Sequence, residues 1–415
     1  MAKTRAPADV GAAGAPTTRR VSFSVVVAIM VLFQVGAAAP TPLYVVYQRL
    51  WGFSSATLTL IFAVFVFGLL CSLLVLGALS DYLGRQRVLL AGIALAAVAV
   101  ALFLIADGPG MLMAARAVQG IATGMVLPTL GAALVDFNPP HAPHRATVVN
   151  GVVPIGGLAL GSLVCGALVQ YGPDPTHLVW AVLLAAMVLA WLAVLALPES
   201  SVRRPWTAAT LLPRLGVPRR LRRDVFALAP LIVASWALGG LYLSLGPSAA
   251  AAVFGITDHF LGGLVATLLC GAGALTAYAL RRPANSFSLR LSALLSAGTA
   301  VTLLAVVTGS ITPAVIGTIA AGIGYGAAAL ATFGALARLA GTADSGERGE
   351  LFAVAYTVAY LSFSLPAVAA GYASTVFGLH TTLVVYSLTV ITIGAAAVAI
   401  QHARLAKRGS RNSVR

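Results

Sequence analysis

Charge is what this sequence has least of. Only 9% of its 415 residues are charged, against about 25% in an ordinary soluble domain. Acids are rarest, 11 in all: Asp9, Asp81, Asp107, Asp136, Asp174, Glu199, Asp224, Asp258, Asp344, Glu347 and Glu350. None lies near the middle of an apolar run. The acid–histidine cluster that a membrane-embedded enzyme needs at one face is therefore missing, apart from the neighbours Asp258 and His259. No Gly-x-x-x-x-Gly-Lys-[Ser/Thr] run is present, which excludes direct drive by ATP through that loop. The three cysteines, Cys71, Cys165 and Cys270, all fall in apolar segments at spacings that suggest neither metal nor disulfide. They are expected to be small buried hydrophobes. His141 and His144 in a Pro-rich loop, His259 and His380 read as solvated, so no metal site and no cofactor is expected. A secretory signal is also lacking, because the polar, Pro/Ala-rich stretch before Val21 leads into an apolar run too long for one.

What is present is hydrocarbon. Hydrophobic residues make up 60% of the chain and mean hydropathy is +0.96, more apolar surface than a soluble fold can hide from water. Runs of about 20 apolar residues each suffice to cross a bilayer as helices. They predict twelve spans at 21–47, 54–79, 88–106, 111–135, 148–169, 178–197, 226–249, 260–280, 289–307, 313–336, 352–377 and 381–400. The fold class is thus an all-α polytopic membrane protein. Of the 26 Lys and Arg, 24 fall on one side of this topology; Arg49 lies opposite and Arg116 lies within a span. The positive-inside rule makes the crowded side cytoplasmic, with both termini there. The formal charge of +15 then reads as topology and attraction to anionic lipid headgroups. The loops are too small for a nucleic-acid surface.

The longest polar gap divides six spans from six. The expected layout is a tail at 1–20, a six-helix bundle at 21–199, a linker at 200–225, a second bundle at 226–402 and a basic tail at 403–415. Weak internal similarity supports two repeats. Gly120 to Gly124 in the fourth span parallels Gly322 to Gly326 in the tenth. Gly161 to Gly166 in the fifth parallels Pro366 to Gly371 in the eleventh. Six-span parallel repeats with a solute path between them are a transporter plan.

The loop between the second and third spans reads Gly77-Ala78-Leu79-Ser80-Asp81-Tyr82-Leu83-Gly84-Arg85-Gln86-Arg87. It resembles the signature loop of the major facilitator superfamily in motif, position and side. A worn copy without the acid runs from Gly273 to Arg281, with Ala277 in its place. The resemblance implies two six-helix bundles and a conformational latch of Gly77, Asp81, Gly84, Arg85, Arg87 and Asp136. In it, Asp81 sits at the N-terminus of the eleventh helix, favoured by the helix dipole, and Arg85 pairs with Asp136, locking the halves when the carrier faces outward. Arg116 to Gly124 resembles the superfamily's second motif. Gly157-x-x-x-Gly161-Ser162-x-x-Cys165-Gly166 resembles its third, antiporter-associated motif, with Ser162 and Cys165 replacing two usual residues and Pro154 one turn earlier. Pro40-x-Pro42-Leu43-Tyr44, matched by Gly246-Pro247-Ser248 in the seventh span, resembles bacterial drug- and sugar-efflux-like members.

On physical grounds, an arginine inside a span needs a polar partner or a wet cavity, and Gln34 is the nearest candidate by depth; snorkelling to the headgroups is the alternative. Small residues at Gly120, Gly124, Gly157, Gly161 and Gly166 suit close helix packing, and Pro40, Pro42, Pro247 and Pro366 suit kinks. Candidates to line a cavity or couple transport are Gln34, Tyr44, Arg116, Gln119, Trp236, Tyr242, Asp258, Tyr325, Tyr356 and Tyr360. Tyr47 fits either a cavity or an interfacial belt. The function expected is a secondary carrier of a small organic solute, acting as a monomer in the plasma (inner) membrane. Proton-coupled efflux leads; a sugar or metabolite importer, a channel and a membrane-embedded enzyme are the alternatives.

Overall fold

The computed structural model describes residues 16–139, 142, 144–201, 215–281, 285–342 and 345–412. His141, Asp344, most of the N-terminal tail and residues 202–214 of the central linker lie outside the described residues. Among those described, every regular element is a helix. Twelve helices are long and apolar enough to cross a membrane: Arg19–Trp51, Ser55–Leu76, Arg85–Leu104, Pro109–Asp136, Arg145–Tyr171, Pro175–Leu195, Arg222–Ser244, His259–Ala279, Phe287–Thr308, Ile311–Gly341, Glu347–Phe377 and Leu379–Arg404. They are called the first to twelfth spans. The face carrying the Arg- and Lys-rich loops is called the basic face, and the other the opposite face.

Several helices outrun their apolar runs. The tenth and eleventh extend past the predicted 313–336 and 352–377 at the basic face. Hydropathy sees only the part in hydrocarbon, whereas backbone hydrogen bonding carries the helix on into the polar zone. The second span, conversely, ends at Leu76 and is followed by a short helix, Ser80–Leu83. Gly84, at φ 101°, then turns the chain into the third span, a conformation open to glycine and strained for other residues.

The first and seventh spans are broken alike. The first divides into Pro16–Ala38 and Pro40–Trp51. The seventh stops at Ser244, and a further helix, Gly246–Phe254, carries it on. Proline has no N–H to give the carbonyl four residues earlier. Pro40 thus leaves Gly36 O without its helical donor, and Pro247 does the same to Leu243 O.

Glycines set which helices touch. A Cβ on Gly120 or Gly124 of the fourth span would strike the backbone of the second at Phe65 and Leu69. On Gly322 or Gly326 of the tenth it would strike the eighth at Leu269 and Gly273. Each half therefore packs its second helix against its fourth in the same way. Gly157 and Gly161 hold the fifth span against Gln34 and Val35 of the first. Between the halves the most extensive contacts are the fifth span with the eighth and the second with the eleventh, and the first span also meets the seventh. Ser162 Oγ donates to Gly263 O at 3.0 Å, Thr267 Oγ1 to Ala159 O at 3.2 Å, and the rings of Phe62 and Phe363 lie 5.1 Å apart. A Cβ on Gly371 would collide with Thr59 and come within 2.8 Å of Ser55 O.

These contacts are one-sided. Toward the opposite face a single apolar core joins Tyr44, Tyr47, Phe103 and Trp180 of the first half to Leu241, Leu245 and Ala370 of the second. Toward the basic face the core divides. One cluster, with Phe23, Leu89, Leu134 and Leu197, belongs wholly to the first half. Another, with Leu221, Leu336 and Leu351, belongs wholly to the second. The halves are joined at the opposite face and parted at the basic one.

One expectation about packing fails. Cys165 and Cys270 are buried, but Cys71 is exposed. Lipid tails are as apolar as a core, so hydropathy does not separate the two surroundings.

Candidate functional site

Three groups of residues lie between or beside the halves, and the signature loop is the first. Arg85 Nη1 donates to Asp81 Oδ1 at 2.6 Å and to Ser80 Oγ at 2.5 Å, and Nε donates to Asp136 Oδ2 at 3.3 Å. The structure thus brings Asp81, Arg85 and Asp136 together, with Gly77 and Gly84 bounding the turn. Arg87 is exposed and has no hydrogen-bond partner among the described residues. Two further participants were not anticipated. The Glu199 carboxylate accepts from the backbone N–H of Arg85 at 2.8 Å and of Gln86 at 3.3 Å, an anion where the third helix's dipole favours one. Ser200 Oγ donates to Asp136 Oδ2 at 2.8 Å, while Gln86 Nε2 donates to Val194 O at 3.1 Å, Leu195 O at 3.2 Å and Leu197 O at 3.0 Å. The signal was a lone acid just past the sixth span, at Pro198-Glu199-Ser200. Every one of these bonds stays within the first half. The expected seat of Asp81 on the eleventh helix is not what this conformation shows among the described residues, because the basic-face ends of the halves have separated.

Arg116 forms the second group. It is 1% exposed, so it does not snorkel. Its Nε and Nη2 donate to Tyr44 Oη at 3.1 and 2.8 Å. Nη1 donates to Ala37 O at 3.1 Å and to Gln119 Oε1 at 2.7 Å. The guanidinium lies over the rings of Phe65 and Tyr44 at 4.9 and 5.7 Å, an arrangement that stabilises a desolvated cation. Gln119 Nε2 donates to Gly36 O at 2.9 Å, the carbonyl that Pro40 leaves free. The break in the first helix therefore creates the acceptor, and the fourth helix fills it. The expected partner Gln34 is instead bonded to Pro154 O at 2.8 Å, because Gly157 draws it against the fifth span. Tyr44 serves the arginine rather than lining a path. Tyr47 lines neither path nor belt: it is buried, accepts from Trp180 Nε1 at 2.8 Å and stacks on Trp51 at 4.7 Å. Tyr242 is buried too, its hydroxyl 3.0 Å from Thr318 Oγ1, which makes it a tie to the tenth helix.

The third group is an aromatic wall in the second half. Trp236 meets Tyr360 edge-on at 5.1 Å and Phe363 at 5.7 Å, with Phe333 at 6.4 Å. Tyr356 lies 5.5 Å from Phe333 and 6.2 Å from Tyr360. Trp236, Phe333, Tyr356 and Tyr360 are half-buried, and Tyr325 is buried behind them against Gly239 and Gly273. Among the described residues, the Trp236 N–H and the hydroxyls of Tyr325, Tyr356 and Tyr360 have no hydrogen-bond partner. The wall thus offers ring faces and unpaired donors, and no carboxylate.

The remaining candidates scatter. Asp258 caps the eighth helix, accepting from Leu261 N at 2.9 Å. Gly166 sits at the seam against His259 and Gly263 of the other half. Pro366 lies inside the eleventh helix. Pro42 and Pro247 face each other across a cleft at the opposite face.

Comparison with known proteins agrees with this geometry. The family model of the Major Facilitator Superfamily matches residues 25–365. The chain is similar to the probable anion transporter 2, chloroplastic, of Oryza sativa subsp. japonica, 31% identical over 34% of this chain and 26% of that protein. It is also similar to the gentisate transporter of Corynebacterium glutamicum, 32% identical over 26% of this chain and 24% of the other. With the quinolone resistance protein NorA of Staphylococcus aureus it shares 24% identity over 34% of this chain and 36% of the other. The matched stretches therefore span only about a quarter to a third of these relatives. In fold, the chain resembles a bacterial homologue of the human lysosomal transporter Spinster in an inward-facing, unoccupied conformation, with TM-score 0.75 and 14% identity over 94% of this chain and 98% of the other. A POT family transporter in complex with 5-aminolevulinic acid gives TM-score 0.73 and 13% identity over 94% and 97%. With twelve apolar helices, a seam between two alike halves and a family match over most of its length, the chain is a multi-pass membrane protein belonging to the major facilitator superfamily, whose members are transporters and not enzymes.

Proposed function

We propose that this transporter carries a small, flat organic solute by alternating access between the halves, and that it exports that solute in exchange for protons. The observation that carries the reading is the one-sided core, continuous at the opposite face and divided at the basic face, as a carrier halted in one of its two states would have. The arginine distribution supports a cytoplasmic basic face, which makes this state inward-facing in the proposed reading, with the plasma membrane as the proposed location. The aromatic wall around Trp236 is the proposed resting place of the solute. Its ring faces favour planar compounds. Its unpaired donors favour solutes that bear acceptor oxygens or nitrogens, since a buried donor left unmatched is costly.

Export is supported by the similarity to a quinolone resistance protein. Proton exchange has no mid-span carboxylate to work through among the described residues. The acids nearest the path are Asp81 and Asp136 at one face and Asp258 at the other. Inverted membrane vesicles with an acidic interior test all of this together. A planar fluorescent solute is expected to accumulate inside them, and a proton uncoupler is expected to abolish that accumulation. Uncoupler-insensitive equilibration would remove the exchange and leave facilitated diffusion. Uptake only by right-side-out vesicles would make the chain an importer.

A further inference from the structure

The two proline breaks expose the same kind of group and treat it differently. In the first half, the carbonyl freed by Pro40 is taken by Gln119 of the same half. In the second half, the carbonyl freed by Pro247 is Leu243 O, and its donor comes from the other half: Thr41 Oγ1 donates to it at 3.0 Å. Thr41 is 1% exposed and Leu243 3%, so this bond is dry. It also sits where the halves must part if the opposite face is to open. Among the described residues the other side-chain hydrogen bond between these two helices, Ser248 Oγ to Gln48 Oε1 at 3.3 Å, is longer and less buried.

From this we infer that Thr41 and Pro247 together set the balance between the two access states. Pro247 withholds the N–H that would satisfy Leu243 O within its own helix, and Thr41 supplies a donor only while the opposite face is closed. When that face opens, water reaches the carbonyl and replaces the hydroxyl. The bond therefore favours the closed state by roughly one buried hydrogen bond. The proline makes the carbonyl depend on it. A conventional helix at this position would close just as tightly but carry no such dependence.

The proposal makes a double-substitution cycle diagnostic. Thr41→Val keeps the shape and removes the donor, which orphans Leu243 O in the closed state only. Pro247→Ala restores an intrahelical N–H to Leu243 O, and because a carbonyl has two lone pairs the Thr41 hydroxyl can still donate to it, so the carbonyl no longer depends on that donor. Combined, the two substitutions satisfy the carbonyl internally and leave no orphan. The readout is the distance between spin labels at Leu50 and Ala252, exposed positions on the two helices past their breaks, with Cys71, Cys165 and Cys270 replaced by alanine. Thr41→Val is expected to raise the ratio of long to short distances roughly fivefold. Pro247→Ala is expected to leave it close to the parent, and the double variant to return close to the parent as well. Thr41→Ser, which keeps the hydroxyl, is expected to match the parent. An unchanged ratio in Thr41→Val, a double variant equal to the product of the two single effects, or a Thr41→Ser that behaves like Thr41→Val would each overturn the proposal. A variant that fails to fold gives no defined short distance, and Thr41→Ser against the parent then decides.

Discussion

The halves of this carrier share a packing scheme but not a distribution of polar groups. Both pack their second helix on their fourth through paired glycines, and both break their first helix at a proline near the opposite face. The first half then fills its freed carbonyl from within, through Gln119, which Arg116 holds in turn, and binds its basic-face loop with Arg85, Asp81, Asp136 and Glu199. The second half leaves its freed carbonyl to Thr41 of its neighbour and gathers unpaired aromatics where the first half has satisfied ones. The first half is the more nearly complete on its own, although its Thr41 and Ser162 hydroxyls reach across to the second. The second leans more on its partner or on something bound, which is the property a moving element requires.

Breaking that completeness should be most damaging at Arg116. Arg116→Leu strands Ala37 O, Tyr44 and Gln119 in a dry core, and at about 1–3 kcal/mol per orphaned group it should lower the melting temperature of the purified protein and abolish transport. Next come Asp81→Asn and Arg85→Ala. These face the polar zone, so folding should survive, while solute flux in vesicles falls at least tenfold; full flux in both would make the loop a mere topogenic signal. A smaller effect sharpens the comparison directly. Gln119→Leu orphans Gly36 O and should cost about 1–3 kcal/mol. Adding Pro40→Ala returns an N–H to that carbonyl and should recover part of the loss, as seen in chemical denaturation. Smallest should be Tyr360→Phe, which removes one unpaired hydroxyl from the second half. It should leave stability unchanged and raise the KM for an acceptor-bearing solute about two- to fivefold, with little effect on a solute lacking acceptors.

Sequence made the twelve spans legible, because hydrocarbon length leaves an unmistakable mark, and it made the repeat legible through glycines whose spacing survives in packing. It singled out Asp81, Arg85 and Asp136 through the resemblance of their loop to the superfamily's signature. It misassigned the partners of Arg116, because depth along a span says nothing about rotation: Gln34 and Tyr44 share the first span, on either side of its break, yet Gln34 turns to the fifth span and Tyr44 to the fourth. It overlooked Glu199, whose importance depends on the fold bringing the end of the sixth helix beside the start of the third. Tyr47 and Tyr242 carry the same residue type as Tyr356 and Tyr360, and only the presence of a hydrogen-bond partner tells a tie from an open position.

The buried arginine also bears on how the chain is made. The fourth span is the least apolar of the twelve, with mean hydropathy 1.6 against 2.8 for the second, and its arginine, about two turns inside Pro109–Asp136, adds to the cost of entering the bilayer, though less than the ~2.5–3.5 kcal/mol of an arginine at a span's centre. Synthesis runs from the N-terminus, so the first helix, already kinked at Pro40 and offering the carbonyls of Gly36 and Ala37, is in the membrane before Arg116 leaves the ribosome. The acceptors precede the charge they will hold. The order of the helices along the chain thus doubles as an order of assembly, in which a proline in the first helix prepares the insertion of the fourth.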